Sequence, residues 1–133
     1  MKESLRTSEW VLWAGDAAAY GLITLIGFSS HGALSSAPFP RILATFLPFY
    51  ASWILFARWG AVIRSRPDRH WRWLLLSGIS AFLSAPLAAT LRAFWLDSLV
   101  IPTFVLVMAA VSSTGVMLWR LLYLRLIQPR LTG

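Results

Sequence analysis

One carboxylate, Asp16, stands inside an apolar run reaching from Trp10 to Phe28. Tyr20, Thr24, Gly27 and His31 follow it at spacings of 4, 4, 3 and 4. At about 100° per residue, these five positions share an arc of about 80° on a helix. Such a stripe can act as a proton or solute path in which Asp16 titrates. It can equally be a buried packing face, with Asp16 held by an arginine and Tyr20 by a backbone carbonyl. Two arginines stand at a suitable depth. With Trp10 marking the membrane edge, Asp16 lies about 9 Å inside, and Arg58 and Arg120 lie about 3 to 6 Å inside on later apolar runs that cross in the opposite sense. Either side chain is long enough to reach Asp16.

Two further groupings carry chemistry. His31, Arg41, Arg92 and Asp97 gather near helix ends on the opposite side of the membrane. They form either an anion or lipid-headgroup site or a snorkelling set in which Arg92 pairs with Asp97. Phe46, Phe49, Tyr50, Trp53 and Phe56 recur at helical spacing. This aromatic stripe suits a flat lipid-soluble ligand, lipid contact or packing on a neighbouring helix. Enzyme signatures are absent: no Gly-rich phosphate loop, no nucleophile elbow and no second carboxylate to work with Asp16. The chain has no Cys, and its two His residues fall on opposite sides of the membrane, so no metal site within one chain is expected; nor is a cofactor the first expectation, since an aromatic stripe more often packs on a neighbour or faces lipid.

The elements that must position these groups follow from composition. Of 133 residues, 58% are hydrophobic and 13% charged, about half the charged share of a soluble domain. With a mean hydropathy of +0.67, the chain calls for a bilayer around it. Four spans are expected, Trp10 to Phe28, Ile42 to Val62, Trp73 to Leu91 and Pro102 to Leu122. They make one all-α membrane domain with no room for a separate soluble one. The first run is longer than a signal-peptide core and contains an acid, so it is read as a retained helix. Pro48 sits near the start of the second span, and Pro86, deep in the third, predicts a kink. Small residues at Ser77, Ala81, Ala85 and Ala89, with Ser80, Ser84 and Ala88 beside them, make a close-packing face on the third span.

Charge sets the expected orientation. Of the twelve Lys and Arg, Lys2, Arg6, Arg58, Arg64, Arg66, Arg69, Arg72, Arg120, Arg125 and Arg130 lie on one side, and only Arg41 and Arg92 on the other. The positive-inside rule then puts both termini and the middle loop in the cytoplasm. Trp10, Trp13, Trp59, Trp71, Trp73 and Trp119 gather at that same interface. The net charge of +7 is thereby explained without nucleic acid. The basic middle loop is expected to meet anionic lipid headgroups.

Gly15-Asp16, Gly27 with His31-Gly32, Leu47-Pro48-Phe49 with Trp53, Leu91-Arg92, Phe104-Val105-Leu106-Val107 and Trp119-Arg120 occur in order across the four spans. In this respect the chain resembles the bacterial membrane family known as domain of unknown function 3054. The resemblance implies a bacterial inner-membrane location, and a family polar pattern that includes Asp16, His31, Arg92 and Arg120. It implies no activity. Three expectations of function follow from the residues. The first is a noncatalytic accessory or assembly subunit that packs on a larger membrane complex or on itself. The alternative is a small proton-coupled transporter or channel using Asp16, and binding of a lipid-soluble cofactor along the aromatic stripe is a third.

Overall fold

The structure, a computed structural model, describes residues 2–32, 39–60, 62 and 70–132. Arg64, Arg66 and Arg69 of the basic middle loop, and most of the loop between the first two spans, lie outside the described residues. Four long helices follow one another up and down: α1 (Lys2–Ser30), α2 (Phe39–Trp59), α3 (His70–Trp95) and α4 (Pro102–Leu122). A π turn over Tyr123–Ile127 and a short α5 (Gln128–Thr132) prolong α4. No strand occurs among the described residues. Each of the four helices is long and apolar enough to cross a membrane, and in hydrocarbon a helix satisfies its own backbone polar groups. The protein is an all-α membrane protein with four transmembrane helices.

The helix bounds differ from the apolar runs for local reasons. Polar residues at the start of α1 extend the helix without extending the span, and α3 overruns its expected ends on both sides. At the end of α1, Gly32 takes φ +64° and its N–H donates to the Ser29 carbonyl. A left-handed residue of this kind stops a helix, and glycine adopts it freely. Asp97 does the same after α3, at φ 47°, with the Ser98 N–H returning to the Ala93 carbonyl. Pro48 and Pro86 both lie within unbroken helices.

α3 is the centre of the bundle: half of its span is buried, against 28% for α1 and for α4. Its small-residue face accounts for this. Ser77, Ser80, Ala81, Ser84, Ala85, Ala88 and Ala89 are all buried, so α2 and α4 come close to its backbone. Gly78 extends the effect, since a Cβ there would meet Met117 Sδ at 2.5 Å. The aromatic stripe of α2 also turns inward. Phe49 and Trp53 are buried, Phe46, Tyr50 and Phe56 half-buried, and Phe49 meets Phe104 of α4 edge-on at 6.1 Å. The opposite face of α3, with Ile79, Phe82 and Leu83, remains exposed, as suits a surface solvated by lipid.

α1 comes closest to this three-helix core at Gly15, with a second approach where Ile23 lies against Gly115 of α4. The indole of Trp119 on α4 lies where a Cβ on Gly15 would stand. Gly15→Ala is therefore expected to destabilise the bundle by about 1–3 kcal/mol, the usual cost of overpacking. Adding Trp119→Leu should recover much of that loss. Thermal unfolding in detergent measures both, and a neutral Gly15→Ala would show that the two helices have room to separate.

Candidate functional site

Along α1 the buried positions are Leu12, Asp16, Tyr20 and Thr24. The polar stripe thus faces the interior over most of its length, whereas Gly27 is half-buried and His31 exposed. Asp16 is 4% exposed and meets Arg120 of α4, itself 1% exposed. Arg120 Nη2 donates to Asp16 Oδ2 at 2.9 Å. Arg58, the other arginine at this depth, is exposed and forms no ion pair with Asp16.

A shell of backbone and aromatic groups holds the pair. Arg120 Nη1 donates to the Val62 carbonyl, just beyond α2. The indole N–H of Trp73, at the start of α3, donates to the same carbonyl at 3.2 Å. The guanidinium carbon lies 4.6 Å from the Trp73 ring centroid and 5.3 Å from that of Trp53, distances at which a ring face attracts a cation. All four helical segments therefore converge here: α1 supplies the acid, α4 the base, α2 and its exit Trp53 and Val62, and α3 Trp73. Asp16 Oδ1 and Arg120 Nε complete no hydrogen bond of regular geometry. The void beside them, about 10 Å³ between Leu12, Trp53, Asp16 and Arg120, is at the lower limit for one water molecule.

Further along the stripe, the Tyr20 ring packs against Tyr50 and Trp53 at centroid distances of 6.3 and 6.4 Å. Its hydroxyl is close enough to interact with those of Ser84 and Ser112, though without regular hydrogen-bond geometry. No backbone carbonyl holds Tyr20. Instead Tyr50 donates to the Trp13 carbonyl at 3.1 Å, and the Thr24 hydroxyl to that of Tyr20 at 2.9 Å.

At the far end of the bundle, away from the chain termini, the expected Arg92–Asp97 pair is not formed. Asp97 is spent on ending α3, and its left-handed backbone leaves the side chain exposed. Arg92 turns the other way: its Nε donates to Thr45 Oγ1 at 2.9 Å, and its guanidinium lies 4.9 Å from the Phe104 ring centroid. Arg92 comes within electrostatic range of Arg41. His31, Arg41 and Arg92 line one cavity of about 530 Å³, and Asp97 is not part of it. Among the described residues, no group of three or more His, Asp or Glu converges as a metal site would require.

Trp73, Val62 and Thr45 did not stand out in the sequence as site residues. A tryptophan at a membrane edge reads as a belt residue, and nothing in a sequence marks which backbone carbonyl will be shared.

The profile of the family described as "Protein of unknown function (DUF3054)" matches residues 13–123, which include Asp16, Arg92 and Arg120 and all but the ends of the bundle. The protein belongs to this family. The comparisons with curated proteins and with solved structures found no match.

The ion pair generates a specific expectation. Removing one member of a buried pair strands the other charge, at a typical cost of about 3–5 kcal/mol, whereas replacing both with apolar groups is often neutral. Asp16→Ala and Arg120→Leu should each destabilise strongly, Asp16→Leu with Arg120→Leu much less, and Arg58→Leu should show no coupling to Asp16. A thermal-unfolding double-mutant cycle reads this directly. Additive single effects would mean that the contact carries no interaction energy.

Proposed function

We propose that this protein is a noncatalytic integral membrane module, an accessory or assembly subunit that packs against a larger membrane complex or against copies of itself. What supports this reading is the outward face of α1. Between the exposed Trp10 and Leu22, Ala14 and Ala18 are exposed there, with Ala17 half-buried beside them, whereas the outward face of α3 carries Ile79, Phe82 and Leu83. Bulky side chains suit lipid, but small ones let another helix backbone approach closely. The Ser/Ala face of α3 is used up inside the bundle, which leaves α1 as the surface for such a contact.

The state of Asp16 favours the same reading over a proton-coupled transporter. A carboxylate committed to an arginine makes a poor proton carrier, and no other acid is buried among the described residues. The aromatic stripe is likewise engaged in ring contacts with α1, α4 and itself, which weighs against a flat cofactor bound along it. By its family resemblance we place the protein in the bacterial inner membrane, and by its charge asymmetry we put both termini and the basic middle loop on the cytoplasmic side against anionic headgroups.

Two experiments test these statements. Ala18→Ile should reduce recovery of the partner subunit, or of the homo-oligomer, several-fold from native membranes while leaving thermal unfolding unchanged. A monodisperse monomer that copurifies with no protein would overturn the assembly reading. Orientation is accessible because the chain has no Cys. A membrane-impermeant maleimide should label Asp97→Cys in intact cells, and Arg130→Cys only after permeabilisation.

A further inference from the structure

The cavity at the far end of the bundle has the make-up of a lipid site. It opens between α1 and α4, where Ile26 and Val107 on its rim are 64% and 54% exposed. Its walls are mostly apolar, with Ile23, Met108 and Val111 among them. Its volume of about 530 Å³ lies within the range of small-ligand sites, about 300–1,000 Å³. The space exists because α1, drawn to α4 at Gly15 and Asp16, stands away from it beyond Thr24. At Gly27, a Cβ would meet nothing within 4 Å.

The charged end is equally distinctive. Arg41 and Arg92 line the cavity together, with His31 beside them and no acidic side chain on the lining. Neither arginine forms an ion pair with any described acid. Arg92 is nonetheless held in place: its Nε is taken by Thr45 and its face by Phe104, while its terminal Nη atoms make no hydrogen bond to the described residues. Thr45 is fixed in turn, its hydroxyl donating to the Arg41 carbonyl at 3.2 Å. Two like charges brought together beside an apolar chamber, with no counter-charge, are complementary to an anion that carries a hydrocarbon tail.

We infer that this cavity binds one anionic phospholipid of the surrounding membrane, its phosphate on Arg92 and Arg41 and one acyl chain entering between α1 and α4. The inference stands apart from the assembly role, since it concerns a different face and end of the bundle. A lateral opening in the flank of a membrane helix pair is reached from the bilayer without passing through water, which favours a resident lipid over a soluble anion.

Native mass spectrometry of the purified full chain, titrated with phosphatidylglycerol, phosphatidylcholine and inorganic phosphate as separate probes, tests the inference. One phosphatidylglycerol per chain should be retained, and phosphatidylcholine held about tenfold or more weakly. Arg92→Gln should weaken phosphatidylglycerol by a similar factor. Gly27→Leu, which places a side chain in open space and improves the helix propensity of α1, should fold normally and lose the lipid while keeping both arginines. This variant keeps the test open even if Arg92→Gln fails to fold. Equal retention of the two lipids, unchanged lipid binding in Gly27→Leu, or full displacement by millimolar inorganic phosphate would each overturn the assignment. The last result would leave a simple anion site at the helix ends. None of these outcomes bears on whether Ala18→Ile disrupts assembly.

Discussion

An acid in the hydrocarbon layer must find a partner, and in this protein that need organises one whole end of the bundle. Asp16 costs α1 about 2.5–3.5 kcal/mol if left alone at depth. The large apolar residues of the same span, Val11, Leu12, Leu22, Ile23, Leu25, Ile26 and Phe28, return about as much, so α1 is marginal as an independent helix. Arg120 changes that balance, but only within a cage. Its two Nη groups are divided between Asp16 and the Val62 carbonyl, and its faces between Trp53 and Trp73. The pair ties the helix with the weakest claim on the core to the helix opposite it, through contacts that also secure the exit of α2 and the entry of α3.

A tie at one end leaves freedom at the other. α2 and α4 each pack closely on α3, because from Ser77 to Ala93 every buried position of α3 is Ser, Ala or Gly. α1 has no comparable face. It meets α4 intimately at Gly15, where Trp119 takes the space of a side chain, and it meets α2 through Tyr20, Tyr50 and Trp53. Beyond Thr24 these contacts run out, and the interval between α1 and α4 becomes the cavity lined by Ile23, Gly27 and Val111. The same polar stripe thus has two characters. Its inner part is consumed by the ion pair and ring packing, and its outer part borders open space beside two arginines.

The arginines at the two ends show how burial assigns roles. Arg120 is enclosed and neutralised, and a charge so placed serves structure. Arg92 is half-buried, oriented by a hydroxyl and a ring, and left without a counter-charge. Of the two, only Arg92 offers hydrogen-bond donors to something outside the chain.

Much of this protein is legible as a line of residues, because the bilayer reduces fold prediction to one dimension. Each stretch of apolar residues long enough to span hydrocarbon becomes a helix, alternate stretches reverse direction, and small residues at helical spacing on α3 mark the close-packed axis. The match in depth between Asp16 and two arginines was legible too, since depth along a helix follows from residue count. What depth cannot supply is azimuth. Arg58 and Arg120 lie at similar heights, and only the packed bundle turns Arg58 outward and Arg120 toward α1. Arg92 and Asp97, five residues apart, look like partners, yet Asp97 takes the left-handed turn after α3, stands exposed and does not line the cavity. The cavity itself has no signature in the sequence. It arises where α1 and α4 part around Gly27, which depends on where contacts along the two helices cease, a property of their packing that neither helix carries alone.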